Sequence, residues 1–281
     1  MVGAVSALLL IAAPAARAQL WLEEAFPNRW LLGPEKAVGA VIWSHGRSID
    51  SEDSEVETPP YVEALRAGGW DAFRYNRMRA SDTLGAGANG LVEQVGRLKR
   101  QGYRQIALAG QSFGAFLSLM AADTSDDVDA VVATAPAAYG SFTDFYEGWR
   151  SNATKLYPLI ERLRRARVMV FYFHGDDFDP GGRGERTRDI LAARKLPYVV
   201  IDQPPALTSH WAAAASEFAE TFGACILGFL NAAHIAEGAR CDGQTFWAGG
   251  TTAVEAAPEA APATATQGTG ARPVLQNGSA Q

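Results

Sequence analysis

Three kinds of side chain in this 281-residue sequence could together perform nucleophilic catalysis: a serine, a histidine and a carboxylate. The serine is Ser112, set in Gly110-Gln111-Ser112-Phe113-Gly114. A serine hydroxyl is a poor nucleophile until a base takes its proton. Imidazole, with an unperturbed pKa of about 6.5, suits that task near neutrality. A carboxylate then holds the imidazole in the right tautomer and stabilises the imidazolium. Four histidines are available, His45, His174, His210 and His234, and an acid cluster stands at Asp176, Asp177 and Asp179.

The elements around Ser112 decide whether it can be presented. Ile106-Ala107-Leu108-Ala109 is a short apolar run, the pattern of a strand buried on both faces. Ala115 to Ala122 is rich in Ala, Leu and Met, which favour helix. Strand, G-x-S-x-G and helix in succession read as a sharp turn that lifts a nucleophile above the sheet, at the positive end of the helix. The two glycines are needed because a Cβ at either would crowd the neighbouring strand and helix. A second apolar run, Val38 to Ser44, ends in His45-Gly46-Arg47-Ser48. A glycine just beyond a strand lets the backbone turn its N–H groups inward, as an oxyanion hole requires. His45 belongs to that turn and reads as a structural hydrogen-bonding residue, as does His174, which closes a strand before a glycine. His210 stands at the start of a long helix, Ala212 to about Ala236, and His234 falls late in that helix on its surface.

Further strands are expected at Trp70–Tyr75, Val128–Thr134, Val168–Phe173 and Tyr198–Ile201. Helices are expected at Tyr61–Ala67, Leu91–Gln101, Leu156–Arg165 and Arg186–Arg194. Asn76 to Gly90 reads as a polar, Gly-rich loop. Ala137 to Asn152 reads as irregular, with Tyr139, Phe142, Phe145, Tyr146 and Trp149 apolar enough to line a pocket. The alternation predicts an α/β fold with a mostly parallel central sheet and helices on both faces. In such a sheet the carboxyl ends of the strands share one edge, where residues distant in sequence converge.

A formal net charge of −6 with no basic excess argues against a nucleic-acid partner. Residues 1–18 have the form of an export signal. Ala4 to Ala13 is apolar but too short to span a bilayer, and Ala16-Arg17-Ala18 offers small residues for cleavage before Gln19. The residue directly after that cleavage point is Gln19 rather than a cysteine, so no stable membrane anchor is expected, and the protein is expected to be secreted or periplasmic. An oxidising compartment makes Cys225 and Cys241, the two cysteines, a disulfide that pins the C-terminal segment to the last helix. Residues 19–250 are expected to form the folded domain. Residues 251–281, dominated by Ala, Pro, Thr and Gly, are expected to be a disordered tail. The histidines are scattered and no thiolate pair is spaced for zinc, so neither a metal nor another cofactor is expected.

HGRS at 45–48, GQSFG at 110–114, HGDDFDP at 174–180 and SHW at 209–211 place Ser, Asp and His in the chain order of the α/β-hydrolase fold. From about Val38 to Leu230 the chain resembles that superfamily. Its compact plan is similar to the dienelactone-hydrolase and small-esterase branches rather than to large-lid lipases. The resemblance implies an exported serine hydrolase that cleaves a small or medium-sized carboxylic ester through an acyl-enzyme. It makes Ser112 the nucleophile and His210 the base and then the acid, with one of Asp176, Asp177 or Asp179 as the orienting acid. Asp179 is favoured because Pro180 follows it, as commonly in the family, and Asp177 is the alternative. The oxyanion donors would be the backbone N–H of Phe113 and one from Gly46 or Arg47. Two other readings use the same fold: a catalytically silent binding or scaffold protein, and a peptidase or thioesterase with the same triad. The acidic loop Asp50 to Glu57 beside Arg47 favours a neutral ester over an anionic one. The oligomeric state is not legible in the sequence.

Overall fold

Strands that are apolar at every position need cover on both faces, and the chain supplies it with helices. The computed structural model describes residues 20–250. The export signal expected at 1–18 and the tail expected at 251–281 therefore lie outside the described residues. The sheet is built from β1 (Leu20–Glu24), β2 (Ala40–Ser44), β3 (Asp71–Arg77), β4 (Ile106–Gln111), β5 (Ala130–Thr134), β6 (Arg167–Tyr172) and β7 (Tyr198–Asp202). Their order is β1-β3-β2-β4-β5-β6-β7. β1 runs antiparallel to β3, and every other neighbouring pair in this sheet is parallel.

Period-two alternation divides the core into two layers. Ile106 and Leu108 face one layer, Ala107 and Ala109 the other. The first is covered by α2 (Leu84–Gln101), α3 (Phe113–Thr124), α4 (Tyr146–Arg162) and α5 (Arg183–Arg194), the second by α1 (Pro60–Ala67) and α6 (Ser216–Asn231). Register then aligns the site: Ser44 lies beside Gly110, Gln111 beside Thr134, and Tyr172 beside Asp202. The carboxyl ends of β2, β4, β5, β6 and β7 thus reach one edge.

Several expectations about helices are corrected. α2 starts at Leu84, inside the stretch expected to be a loop, because Thr83 caps it by accepting the Ala86 N–H at 3.2 Å. Gly87 and Gly90 serve close packing rather than a turn: a Cβ on Gly87 would come within 2.8 Å of Leu117, and one on Gly90 would strike the Tyr75 hydroxyl. α4 begins at Tyr146, so the second half of the aromatic stretch is helical. The expected helix from Ala212 is a single 3-10 turn, Ala212–Ala214, followed by α6, which ends at Asn231. His234 therefore lies past the helix, exposed. A hairpin of β8 (Arg240–Asp242) and β9 (Thr245–Trp247) closes the described chain. The Cys225–Cys241 disulfide ties it to α6. No helix among the described residues is long and apolar enough to cross a membrane.

Candidate active site

Ser112 is the one residue between β4 and α3, and it makes the turn alone, with φ +56° and ψ −117°. Such a backbone costs a non-glycine residue of order 1–3 kcal/mol and persists only where its surroundings impose it. They do so here. A Cβ on Gly110 would stand 2.5 Å from the Gly114 carbonyl carbon, and one on Gly114 would strike the Ser44 and His45 carbonyl oxygens. Strand and helix can approach this closely only because both positions are glycine. The Ser112 N–H donates to the Thr134 carbonyl at 2.9 Å, which pins the turn to β5.

The structure brings Ser112 and His210 together: Ser112 Oγ is 2.7 Å from His210 Nε2. On the other side of the ring, Nδ1 is 2.8 Å from Asp176 Oδ1. With the carboxylate as acceptor, Nδ1 carries the proton and Nε2 is left to accept the serine hydroxyl. All three side chains are buried. Phe178 stacks on the imidazole at 4.1 Å, and Trp211 meets it edge-on at 5.3 Å. The Gln111 side chain donates to the His210 carbonyl at 3.1 Å, so the residue before the serine also fixes the histidine. The loops carrying acid and histidine are joined by a parallel bridge between His174 and Thr208, with the Ser209 N–H donating to the His174 carbonyl at 2.8 Å. The exposed His174 side chain takes no part.

The choice of acid is corrected: Asp176 faces His210, and neither Asp179 nor Asp177 does. The turn just after β6 is tight. The Phe178 N–H donates to Asp176 Oδ1 at 2.8 Å, and the Asp179 N–H donates to the Asp176 carbonyl at 3.0 Å. Only Asp176 remains at the strand end, and by Asp179 the chain has turned towards α5. There Asp179 accepts the Gly181 N–H and the Arg183 Nε–H, both at 2.9 Å. Asp177 accepts from the Thr143 hydroxyl at 3.0 Å and its N–H at 3.2 Å, clipping the loop after β5 in place. Three neighbouring acids therefore hold three different partners.

Two fully buried arginines, which the sequence reading passed over, support the site from behind. Arg183 donates to the Pro136 carbonyl at 2.6 Å and lies over the Tyr172 ring at 4.8 Å. Its Nη2 is 3.8 Å from Asp176 Oδ2. Arg77 donates to the carbonyls of His45 at 2.6 Å and Gly46 at 3.1 Å, while its Nε pairs with Asp82 at 2.9 Å. The Arg77 N–H donates to His45 Nε2 at 3.1 Å, so the His45 proton sits on Nδ1 and goes to the Gly46 carbonyl at 2.7 Å. Burial, reinforced by the Arg77 charge, pushes the His45 pKa down to about 2. A neutral, doubly engaged ring of this kind is a fixture of the turn. Burial also raises the Asp82 carboxyl above its ordinary range, with Arg77 opposing the shift.

The turn held this way runs beside the serine. A Cβ on Gly46 would lie 3.5 Å from Ser112 Cβ, and Arg47 lines the cavity that opens over Ser112. Phe113 is the first residue of α3, so its N–H has no partner in the helix ladder. The cavity measures about 580 Å³, and Tyr139, Phe145, Phe178 and Trp211 form its aromatic wall. Arg47, Asp50 and Asp144 give it mixed charge. Of the aromatics expected to line it, Tyr139 and Phe145 do so; Phe142, Tyr146 and Trp149 instead cluster together outside it. Asn152, fully buried on α4, fixes this wall. Its carbonyl accepts the N–H groups of Ala138 and Tyr139, both at 3.0 Å, and its amide reaches the Gly140 and Phe178 carbonyls at 2.8 and 3.2 Å. An asparagine within an aromatic stretch was the one available signal.

No family model matches the chain, and no curated protein matches it. Solved structures do. A puromycin-hydrolyzing peptidase from Mycobacterium tuberculosis superposes with a TM-score of 0.53 at 16% identity, over 74% of this chain and 37% of that one. An acetyl ester-xyloside bifunctional hydrolase from Caldicellulosiruptor lactoaceticus gives 0.52 at 16% identity, over 74% and 85%. The chain has the α/β-hydrolase fold. Dipeptidyl peptidase 4 from Porphyromonas gingivalis is similar as well, with a TM-score of 0.50 at 12% identity over 68% of this chain. This chain spans only 37% and 30% of the two peptidases, whereas it spans most of the ester-xyloside hydrolase. The α/β-hydrolase neighbours are thus both esterases and peptidases.

Proposed function

We propose that this chain is an exported serine hydrolase that cleaves small to medium-sized, neutral carboxylic esters through an acyl-enzyme. The observation that carries the reading is the unbroken line Ser112 Oγ, His210, Asp176, at 2.7 and 2.8 Å. His210 Nε2 takes the hydroxyl proton as Ser112 Oγ attacks the carbonyl carbon, and Asp176 stabilises the imidazolium that forms. The N–H groups of Phe113 and Arg47 would receive the negative charge that develops on the carbonyl oxygen. His210 then protonates the leaving alcohol, and a water activated by the same ring releases the acid. The mixed charge and aromatic wall of the cavity support a neutral acyl group. The Cys225–Cys241 disulfide supports an oxidising compartment, as does the signal-like sequence of residues 1–18.

A fluorophosphonate probe tests the reading, because only an activated serine reacts. The expected result is labelling of Ser112, loss of labelling in Ser112→Ala, and a fall of several powers of ten in turnover of p-nitrophenyl acetate with the fold retained. An unlabelled wild-type protein would leave a binding or scaffold role. Faster cleavage of aminoacyl-anilides than of matched esters would shift the reading to a peptidase.

A further inference from the structure

A second cavity, of about 240 Å³, lies beside the first. Its walls are Trp43, Val56, Pro59, Tyr61, Ala213 and Ala214. Its charged side chains are Asp53 and Glu57, and no basic residue lines it. Three residues join it to the reaction centre: Trp211, Gly46 and Gln111, whose amide donates to the His210 carbonyl at 3.1 Å. Trp211 lines both cavities. Gly46 belongs to its wall, and a Cβ there would stand 3.5 Å from Ser112 Cβ and 3.5 Å from Trp211 Cζ3. The nucleophile, the edge of the indole and the Gln111 side chain, whose Oε1 would stand 2.6 Å from that Cβ, thus all border the same glycine.

We propose that the second cavity receives the leaving alcohol of the substrate, that the large cavity receives the acyl group, and that Trp211 is the wall between them. This rests on the serine-hydrolase reading. In acylation the bond between the carbonyl carbon and the alkoxy oxygen breaks. The proton that His210 Nε2 took from Ser112 Oγ passes to that oxygen, and the acyl group stays esterified to Ser112. The departing oxygen must therefore lie on the imidazole side of the tetrahedral carbon. The chain beyond His210 runs directly through Trp211 into Ala213 and Ala214, which line the small cavity. Residues 137–141, on the loop after β5, line only the large one. At 240 Å³ the small cavity exceeds the ~150 Å³ that hold a benzene ring. Its apolar walls and two carboxylates select a neutral or cationic alcohol of about aryl size. Trp211 is half exposed, which leaves its ring room to move as the alcohol enters and leaves.

The chemistry separates the two groups in time, since the alcohol is present only in acylation and the acyl group is present in both steps. Ala214 and Val56 are exposed, so Ala214→Phe and Val56→Phe fill the small cavity without disturbing the core. Each should lower the ratio of kcat/KM for benzyl acetate to that for methyl acetate by tenfold or more. Each should leave unchanged the rate at which the common acetyl-enzyme is hydrolysed in single-turnover measurements. Ala138→Leu, which fills the large cavity, should instead depress butyrate relative to acetate and change deacylation. Unchanged benzyl-to-methyl ratios in both filled variants would overturn the assignment, and so would slowed deacylation in them. Fluorophosphonate labelling separates the two failures. Labelled variants with flat ratios defeat this inference alone, whereas an unlabelled wild-type Ser112 defeats the hydrolase reading and this inference with it.

Discussion

The turns after β2 and β6 both carry His-Gly, at 45–46 and 174–175, yet they do different things. The first is followed by Arg47, which lines the cavity over Ser112; the second is followed by Asp176 and supplies an acceptor for His210. His45 is buried with both ring nitrogens engaged, whereas His174 is exposed and contributes only its backbone. Gly175 has φ +68°, while Gly46 stays out of the left-handed region and is small because a Cβ there would stand 2.6 Å from Gln111 Oε1. Behind each turn stands a fully buried arginine with an aspartate on its Nε, Asp82 for Arg77 and Asp179 for Arg183. Both arginines also donate to backbone carbonyls at the site. The dipeptide is the same in both places, and the surroundings decide what it is for.

The comparison breaks first at the acid turn. Asp176→Asn should lower kcat by three to four powers of ten with little loss of stability, because it strips the imidazole of its correct tautomer. Asp177→Asn should cost far less activity. If Asp179→Asn proves the more damaging to turnover in protein that remains folded, the assignment of Asp176 is wrong.

Next comes the pair of arginines. Removing one partner of a buried ion pair leaves the other charge uncompensated, at a cost of roughly 3–5 kcal/mol. Asp82→Asn and Asp179→Asn should both show losses of that order in urea unfolding. Arg77→Lys should keep a charge but lose the fork that holds two carbonyls, lowering kcat by about tenfold to a hundredfold with KM little changed. A KM effect alone would mean that Arg77 does not act on the transition state through the His45-Gly46 turn.

The disulfide joins α6 to the terminal hairpin, lines neither cavity and provides the contrast. Replacing Cys225 and Cys241 by serine opens a loop with a sequence separation of 16, worth about 3 kcal/mol. Thermal unfolding should shift down by several degrees while kcat/KM stays unchanged. Altered kinetics would mean that the hairpin reaches the site.

The smallest effect distinguishes the two histidines. The His45 pKa is about 2 in the fold against the ordinary 6.5 of an imidazole, so below pH 6.5 the unfolded chain binds the proton and the native state does not. The stabilisation is fully present above 6.5 and is lost as pH falls towards 2, reaching about 2 kcal/mol by pH 5. Urea midpoints measured between pH 7 and pH 5 should fall accordingly. His45→Asn should be less stable at pH 7 and show a flatter dependence, whereas His174→Asn should leave the slope as it is. Equal slopes in wild type and His45→Asn would show that the ring is not held neutral.

β2, β4, β5 and β6 were legible because both their faces are buried, which makes their sequences mainly apolar and bounds them with turn residues. β1 and the β8–β9 hairpin were not, since an edge strand and a short exposed ribbon carry no such run. The start of α2 was hidden because glycines that permit close packing against α3 look, in one dimension, like a loop. At the site, Ser112 was legible because a strained turn needs glycines at fixed offsets, and those offsets are local. The order of serine, acid and histidine followed from the order of the strands.

What the sequence determined by itself was therefore the fold, the turn that bears Ser112 and the general place of its partners. Which carboxylate faces His210 was decided only in three dimensions. Asp176, Asp177 and Asp179 are chemically alike and nearly adjacent, and their roles were assigned by His210, Thr143 and Arg183, which reach them from distant elements. The same holds for Arg77 beneath the His45-Gly46 turn and for Trp211, which lines both cavities. A side chain's chemistry is written locally, but its partner is chosen by packing, and packing joins residues that share no neighbourhood in the chain.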